Sequence, residues 1–223
     1  MRSSGIPKSI LVINPNSNNA VTNAMSDALS PLRIAGGPQI NCATLSDGPF
    51  GIESDDDAAA VVPLVETAIG GDVDADAFVI ACYSDPGLQR GRAVTSRPVF
   101  GIAECAALTA VTRGGTFGVI SILDQSIPRH QRHLEDCGLA HLCAADRAIN
   151  MSVAETASGE GTLARMIEVG RVLRDQDGAS SIILGCAGMA RHREPLEAEI
   201  GMPVIDPVQA AVTMAIGAVC LNQ

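Results

Sequence analysis

The chain has 223 residues, of which 47% are apolar and only 2% aromatic, and its 25 acidic and 15 basic side chains give a formal charge of −10. This apolar content excludes a disordered or fibrous chain, and the length suits one large domain or two small lobes. The acidic balance and the scarcity of aromatic rings argue against a nucleic-acid partner, because such a partner needs a basic surface and rings on which bases stack.

The first half of the chain alternates short apolar runs with helix-length segments. Strands are predicted at 9–13, 39–45, 77–81 and 98–102, and a long loop at 46–54. Helices are predicted from an Asn18 or Asn19 cap to about residue 29, at 58–69 and at 104–112. The acidic run at 55–57 precedes the second of these helices, and we interpret it as a helix start rather than as a catalytic group.

The second half repeats this alternation. Strands are predicted at 116–122, 142–149, 181–184 and 203–205, and helices at about 124–136, 160–174 and 207–221. Alternation of strands and helices on this scale predicts βαβ units and parallel sheets. With so few aromatic residues, the core must consist of Ala, Val, Ile and Leu, as is usual for a parallel sheet covered by helices.

The cysteine count and the lengths of the apolar segments indicate the cellular compartment of the protein. The first apolar run is too short for a secretory signal, and the longest, 210–221, has 12 residues where about 20 are needed to span a bilayer. The seven cysteines are odd in number and contain no CxxC pair, so a disulfide framework is not expected. These features favour a cytoplasmic protein with no membrane partner.

The two halves of the chain resemble each other. Superposing LVINPN on GVISIL aligns Asn14 with Ser121; Cys82 then follows Asn14 by 68 residues, and Cys186 follows Ser121 by 65. Each half thus has one strand that ends in a polar residue and a later strand that ends in cysteine. The pattern predicts two similar α/β lobes with the site in the crevice between their strand ends, although alternating chains are also self-similar by chance.

Cys82 and Cys186 each directly follow an apolar strand and precede turn residues and a predicted helix. A turn from strand to helix places a side chain beside free backbone N–H groups, which favour a thiolate over a thiol. Two such cysteines on facing lobes predict proton transfer at carbon without a cofactor, one thiolate removing a proton and the opposing thiol returning one to the other face. The competing interpretation is that both are small buried residues at strand ends.

A family resemblance extends over nearly the whole chain. Its motifs are ILVINPNSN at 10–18, DGPFGIES at 47–54, ACYSDPGL at 81–88, PVFGIAEC at 98–105, GTFGVIS at 115–121, LGCAGMA at 184–190 and PVIDPVQAAV at 203–212. In these motifs the sequence resembles the hydantoin and allantoin racemases of the aspartate/glutamate racemase superfamily. The resemblance implies two pseudo-symmetric α/β lobes and a proton exchange at the C5 carbon of a five-membered ring, with no cofactor or metal. It also implies that Cys82 and Cys186 are the two acid/base residues, and neighbouring decarboxylases keep only the second of them.

Residues expected to bind the substrate lie in the strand-end turns and in the 46–54 loop: Asn14, Phe50, Ile52, Tyr83, Ser84, Ser121, Ala187 and Gly188. By the resemblance, the loop that carries Phe50 and Ile52 borders the C5 substituent. Two departures from the family's pattern leave the preferred substituent open. Ser-Asp-Asp-Asp follows Glu53 where relatives often carry aromatic or small polar residues, and Tyr83-Ser84 replaces Phe-Gly.

The polar members of this set have distinct expected roles. Asn14 can donate to a ring carbonyl and accept from a ring N–H, although an asparagine before proline is also a common turn residue. Backbone N–H groups after Cys82 and Cys186, with the hydroxyls of Ser84 and Ser121, are expected to stabilise the developing oxyanion. Asp85 matches a family motif, and we interpret it as a helix-start residue.

Other interpretations stay open. A zinc site would use four residues within 11 positions, namely His133, Cys137, His141 and Cys143, although a helix end with incidental histidines fits this spacing better. The basic run 191–193 is expected to be a solvated helix face; if it faced the crevice, a racemase of free aspartate or glutamate would be favoured. A maleate-type isomerase, a decarboxylase or a non-catalytic cleft-binding protein would fit the same scaffold.

We expect a first lobe from residues 1–113 plus 206–223 and a second lobe from residues 114–205. The return of the last helix to the first lobe is implied by the resemblance. An Ala-rich apolar helix at 207–221 indicates that another subunit covers part of the surface, and a homo-oligomer is expected. The other expected partner is a small molecule with a hydantoin-like ring.

Overall fold

The structure is a computed structural model that describes residues 8–159 and 161–221. Its strands are β1 (Ser9–Asn14), β2 (Gln39–Thr44), β3 (Ala77–Ile80), β4 (Val99–Gly101), β5 (Phe117–Ser121), β6 (Cys143–Ala148), β7 (Ile182–Leu184) and β8 (Val204–Ile205). Its α-helices are α1 (Asn19–Ala28), α2 (Asp55–Gly71), α3 (Leu88–Val94), α4 (Ile102–Thr112), α5 (Ile127–Asp136), α6 (Val153–Ser158), α7 (Thr162–Asp175), α8 (Arg193–Ile200) and α9 (Pro207–Leu221).

The strands form two parallel sheets with the same topology. One has the order β2-β1-β3-β4 and the other β6-β5-β7-β8. In the centre of each sheet the registers correspond, because Ile13 of β1 pairs with Ile80 of β3 and Ile120 of β5 pairs with Leu184 of β7. The predicted alignment of β1 with β5 is therefore correct, and the predicted α/β fold of two pseudo-symmetric lobes is confirmed.

Local sequence explains the central strands and the helix that borders the cleft. Every residue of β3 and β7 is buried, as expected for apolar strands covered by helices on both faces. Ser54 caps α2 in a reciprocal capping box with Asp57, and the acidic run fills the first helical turn. The interpretation of that run as a helix start is thus correct.

The second lobe differs from the prediction around residue 160. The structure has a short helix, α6, that the sequence pattern did not indicate. Its N-terminus is stabilised by a capping box between Ser152 and Glu155. Helix α7 follows from Thr162. The predicted helix start at Glu160 lies outside the described residues, as do residues 1–7 and 222–223 of the predicted first lobe.

Helix α4 joins the two lobes. It contacts β4 in the first sheet and β5, β7 and β8 in the second. Its fully buried residues include Ala106, Ala107 and Ala110, whose small side chains let the helix lie close to both sheets. The largest apolar cluster therefore extends through both lobes, and two smaller clusters lie in the first lobe.

Helix α9 packs against α4 and against β1, β3 and β4 of the first sheet. Its Val208, Ala211 and Ala215 are fully buried within the chain itself, so intrachain packing accounts for its apolar composition. The homo-oligomer and the lobe boundaries stay predictions. Along the described chain, no helix combines the length and the apolar character needed to cross a bilayer.

Candidate active site

A cavity lies between the strand ends of the two lobes, and both predicted cysteines line it. Cys82 and Cys186 each lie two residues beyond the end of their strand, β3 in the first lobe and β7 in the second. The cavity has a free volume of about 30 Å³, which is space for about one or two water molecules. The lobes are therefore closed around the two thiols.

Cys186 caps a short 3₁₀ helix, Ala187–His192. The backbone N–H of Gly188 donates to the Cys186 sulfur at 3.4 Å. Burial raises the pKa of the Cys186 thiol from its ordinary value of 9.0 to about 11, although the Gly188 N–H and the Thr156 hydroxyl act to lower it. The thiolate of Cys186 is thus partly supported by its own turn.

The thiolate form of Cys82 is less well stabilised by its neighbours. Its sulfur lies 3.8 Å from the hydroxyl of Ser84. Burial raises the pKa of the Cys82 thiol to about 12; the Ser84 hydroxyl lowers it, and the negative charge of a Cys186 thiolate raises it. Because each thiolate disfavours the other, the cavity favours at most one of the two in its charged form.

The strand-end turns do not bring the pKa of either thiol below its ordinary value. The helix after Cys82, α3, begins only at Leu88, six residues further along the chain, and the group beside the Cys82 sulfur is the hydroxyl of Ser84. At Cys186 the expected N–H contact is present, but the loss of hydration in the closed cavity outweighs it.

These pKa values predict a slow, strongly pH-dependent reaction of both thiols with iodoacetamide. The thiolate is the reacting species, so a pKa raised above 9 means that the alkylation rate of each cysteine rises about tenfold per pH unit without a plateau up to pH 10. Mass spectrometry resolves the sites, with the exposed Cys220 as an internal reference. A plateau below pH 9 at Cys82 or Cys186 would show that burial does not raise the pKa of that thiol.

Four of the predicted substrate-binding residues line the cavity with the cysteines: Ile52, Tyr83, Ser84 and Ala187. The structure does not bring Asn14, Phe50, Ser121 or Gly188 to its wall. Phe50 is 61% exposed and lies on the outside of the loop whose inner face is Ile52. Gly188 directs its N–H to the Cys186 sulfur rather than to the space that a substrate would occupy.

Asn14 is buried at the end of β1 and organises the turn that follows. Its amide group donates to the side chain of Asn16 at 3.0 Å and to the hydroxyl of Thr22 at 3.0 Å, and its oxygen accepts from the Asn16 N–H at 3.2 Å. These bonds occupy the amide, so the structure favours the turn interpretation of Asn14. The residue that reaches the cavity wall from this turn is Asn16.

Ser121 lies behind the cavity, in a network that sequence reasoning missed. His130 lines the cavity, and its Nδ1 is 2.9 Å from the Asp146 carboxylate and 3.0 Å from the Ser121 hydroxyl. Ser121 also donates to Asp146 at 2.5 Å. The rings of His130 and Tyr83 pack edge to face, with their centroids 5.0 Å apart. The sequence carries no local signal for this network, because Asp146 and His130 come together only when β6 pairs with β5.

Polar contacts between the lobes close the cavity on the side of the 46–54 loop. The carboxylate of Glu53 accepts from the N–H of Val153 at 2.9 Å. The Asp55 carboxylate pairs with two arginines of α5, Arg129 at 2.8 Å and Arg132 at 2.7 Å. The loop and the start of α2 are thus held against the second lobe by one hydrogen bond and two ion pairs.

A family model described as Asp/Glu/Hydantoin racemase matches residues 10–215. The chain belongs to this family. The hydantoin racemase of Paenarthrobacter aurescens is 38% identical to this protein over 221 residues. The aligned region covers 96% of this protein and 92% of the relative. The prediction of an isomerase of the racemase type is confirmed.

Solved structures agree with this assignment. An allantoin racemase from Klebsiella pneumoniae superposes with a TM-score of 0.91 at 32% identity, covering 96% of this family member and 89% of that chain. A glutamate racemase from Francisella tularensis superposes with a TM-score of 0.69 at 15% identity, covering 96% and 82%, which shows a common fold alone. The two-cysteine mechanism stays a prediction.

In this racemase, Asp85 lies between the lobes. Its carboxylate accepts from the backbone N–H groups of Ala103 and Glu104, each at 2.9 Å, and so caps α4. Asp85 therefore does not cap the helix that directly follows it, as the local sequence indicated; α3 has Gly87 at its N-cap, and Asp85 caps a helix further along the chain. The same carboxylate is 3.0 Å from Nε2 of His133. Burial acts to lower the pKa of His133, but the hydrogen bond and charge of Asp85 raise it above 6.5.

The two alternative sites of the sequence do not form in the described chain. His133 is bonded to Asp85, and no three His, Cys, Asp or Glu side chains are grouped there as metal ligands would be. The basic run 191–193 is absent from the cavity wall. Arg193 instead pairs with Glu194 at 2.7 Å and Glu197 at 3.6 Å along α8. The observation that would have favoured a free amino acid as substrate is thus missing.

Proposed function

We propose that the protein is a cofactor-independent racemase of 5-monosubstituted hydantoins or allantoin, and that Cys82 and Cys186 exchange the proton at C5. The observation that carries the proposal is that both thiols line one cavity from equivalent positions in opposite lobes. A carbon placed between them has one sulfur on each face. The named relatives, a hydantoin racemase and an allantoin racemase, support the choice of ring.

The chemistry needs one thiolate and one thiol. The C5 proton of a hydantoin is acidified by the neighbouring carbonyl group, so that its removal gives an enolate-like anion. One thiolate takes the proton, and the opposite thiol delivers another to the other face, which inverts the carbon and exchanges the roles of the two sulfurs. The repulsion between two thiolates supports this division, since it disfavours charge on both sulfurs at once.

Cys186 is the base of the free enzyme in this proposal. Its sulfur accepts the backbone N–H of Gly188 at 3.4 Å, a contact that stabilises the thiolate over the thiol. In its thiolate form Cys186 accepts the proton on the face of the ring that it meets. After one turnover the charge lies on Cys82 and returns by transfer through solvent or by reaction in the reverse direction.

The oxyanion of the enolate needs donors beside the sulfurs. The amides of Ser84 and Gly188 are already bonded, to the carbonyl of Cys82 at 2.9 Å and to the sulfur of Cys186. The donors that we assign to the oxyanion are therefore the N–H groups of Tyr83 and Ala187, together with the Ser84 hydroxyl. Closure of the lobes excludes water and strengthens these interactions.

Asn14 and Ser121 act in this proposal as positioning residues. Asn14 fixes the turn that presents Asn16 to the cavity, and Ser121 fixes the His130–Asp146 pair. Neither needs to touch the substrate. Ile52 lines the cavity on the loop side and packs against the substituent.

The proposal predicts deuterium incorporation at C5 together with loss of optical rotation. A single enantiomer of a 5-substituted hydantoin is incubated with the enzyme in D₂O and followed by polarimetry and proton NMR, with enzyme-free buffer as the control. Both signals should decay faster with enzyme than without it, because the thiols exchange with D₂O and each inversion therefore delivers a deuteron to C5. Retention of both rotation and the C5 proton for every hydantoin tried would refute the proposed function.

A further inference from the structure

The turns that carry Cys82 and Cys186 have the same backbone pattern but different anchors. The N–H of Asp85 donates to the carbonyl of Cys82 at 3.0 Å, and the N–H of Met189 donates to the carbonyl of Cys186 at 3.1 Å. The side chain of Met189 is fully buried in the apolar core. At the equivalent position, Asp85 places a carboxylate with no exposed surface between the lobes. The Cys186 turn is therefore anchored by apolar packing, and the Cys82 turn by polar contacts.

The Asp85 carboxylate takes its partners from outside its own turn. It accepts from two backbone N–H groups at the start of α4, and Nε2 of His133, on α5 of the second lobe, lies 3.0 Å away. Gly101 leaves room for the carboxylate, since a Cβ there would collide with it. The backbone of Asp85 has a φ of 48°, a left-handed conformation that is unfavourable for residues other than glycine and persists only where surrounding contacts hold it.

We infer that His133 is a positioning residue for Cys82. From the second lobe it holds the Asp85 carboxylate, and through this carboxylate it holds the turn that carries the Cys82 sulfur, so that the sulfur takes its reacting position only when the lobes are closed. The inference rests on the proposed function for the role of Cys82. It adds a contact that couples closure of the lobes to the geometry of one of the two acid/base groups.

The charges around His133 suit this role. Burial acts to lower the pKa of His133, but Asp85 and the carboxylates of Glu104 and Asp136 raise it above 6.5. A protonated imidazole forms a stronger hydrogen bond to a carboxylate than a neutral group does. Without His133 the buried charge of Asp85 would keep only the two amide N–H groups, and a buried charge that loses its partner is strongly unfavourable. The carboxylate would then shift and take the Cys82 turn with it.

The other polar contacts described between the lobes do not replace this one. The ion pairs of Asp55 and the hydrogen bond of Glu53 hold the loop before α2 and the start of that helix, rather than the Cys82 turn. A displacement of a reacting group by about 1 Å is enough to lower a rate by about 10²-fold. Loss of the contact between His133 and Asp85 therefore affects Cys82 while the remaining contacts keep the lobes together.

Site-resolved alkylation with iodoacetamide at pH 8 tests the inference without a substrate. His133→Met removes the imidazole and keeps a long side chain. It should raise the alkylation rate of Cys82 by about tenfold, because a loosened turn regains hydration and each unit by which the thiol pKa falls gives tenfold more thiolate. The rate of Cys186 should stay as in the wild type. His133→Gln keeps an N–H donor and should return Cys82 to nearly the wild-type rate.

Racemisation of a hydantoin gives the second measurement. In His133→Met we expect kcat to fall by about 10- to 100-fold and KM to change less than kcat, because the displaced group reacts with the substrate rather than binds it. His133→Gln should recover most of the loss. His141→Met is the matched control, since His141 is an exposed histidine of the same lobe outside the cavity wall. It should equal the wild type in both measurements.

Three results would overturn the inference. An equal rise in the alkylation of Cys82 and Cys186 in His133→Met would show that the histidine only keeps the lobes closed. Unchanged alkylation of both, or a wild-type kcat, would show that His133 does not position Cys82. These outcomes leave the racemase proposal intact, whereas absence of C5 exchange by the wild-type enzyme with every hydantoin would overturn the proposed function.

Discussion

Cys186→Ser and Cys82→Ser each abolish racemisation, with a loss of about 10³-fold or more in the rate at which optical rotation decays. A serine hydroxyl has a far higher pKa than a thiol, so at neutral pH it neither takes the C5 proton nor returns one at a useful rate. Because every inversion uses both sulfurs, the loss is large whichever is replaced. The measurement is polarimetry on a single hydantoin enantiomer, with circular dichroism as the check that the fold is kept.

Cys220→Ser is the matched control for these variants. Cys220 is exposed on α9, outside the cavity, and its replacement changes the same atom without touching the site. The rate of this variant should equal that of the wild type. Racemisation at the wild-type rate in either the Cys82 or the Cys186 variant would show that the corresponding sulfur is not needed.

Gly185→Ala is the second variant with a large expected effect. A Cβ at this position would lie 2.6 Å from the carbonyl oxygen of Ile120 and 3.1 Å from the Cα of Ser121. Both are backbone atoms of β5 and cannot rotate away. The end of β7 must therefore shift and carry Cys186 with it. We expect a stability loss of about 1–3 kcal/mol and a loss of about 10²-fold in racemisation, because displacement of a reacting group by about 1 Å is enough for that.

Gly217→Ala controls for the glycine substitution itself. Gly217 lies within α9, and among the described residues a Cβ there would meet no atom within 4 Å beyond its own stretch of helix. Alanine favours the helix over glycine by up to about 1 kcal/mol, so chemical denaturation should show an equal or slightly higher stability with unchanged activity. If Gly185→Ala keeps full activity, the close approach of the two strands does not position Cys186.

The fold and the two cysteines were accessible from the sequence because they depend on local patterns. The apolar runs of β3 and β7 each lead to a cysteine two residues beyond the strand end, and the carboxyl ends of parallel strands lie at one edge of each sheet. The internal alignment of Asn14 with Ser121 therefore predicted which two cysteines would line the same cavity. The acidic run at 55–57 was also interpretable, since it follows a capping serine.

The rest of the cavity wall depends on tertiary placement. Arg129 and His130 lie in α5, and nothing in their local sequence shows that one turn of this helix meets the cavity while His133 meets Asp85 instead. For Asn14, in contrast, the sequence indicated a contact with the substrate, whereas the structure favours a role in the turn. Its residue type suits a ring-binding role, but the following turn takes up its hydrogen bonds. The raised thiol pKa values arise from closure of the lobes, a property of the assembled structure.

The most direct test of the two-sulfur mechanism is the handedness of C5 deuterium exchange in the single cysteine variants. Each enantiomer of one hydantoin is incubated in D₂O with Cys82→Ser and, separately, with Cys186→Ser, and the residual C5 proton is followed by NMR. With one sulfur on each face of the carbon, each variant should exchange one enantiomer only, and the two variants should act on opposite enantiomers. Exchange of the same enantiomer by both variants, or of both enantiomers by either one, would contradict it.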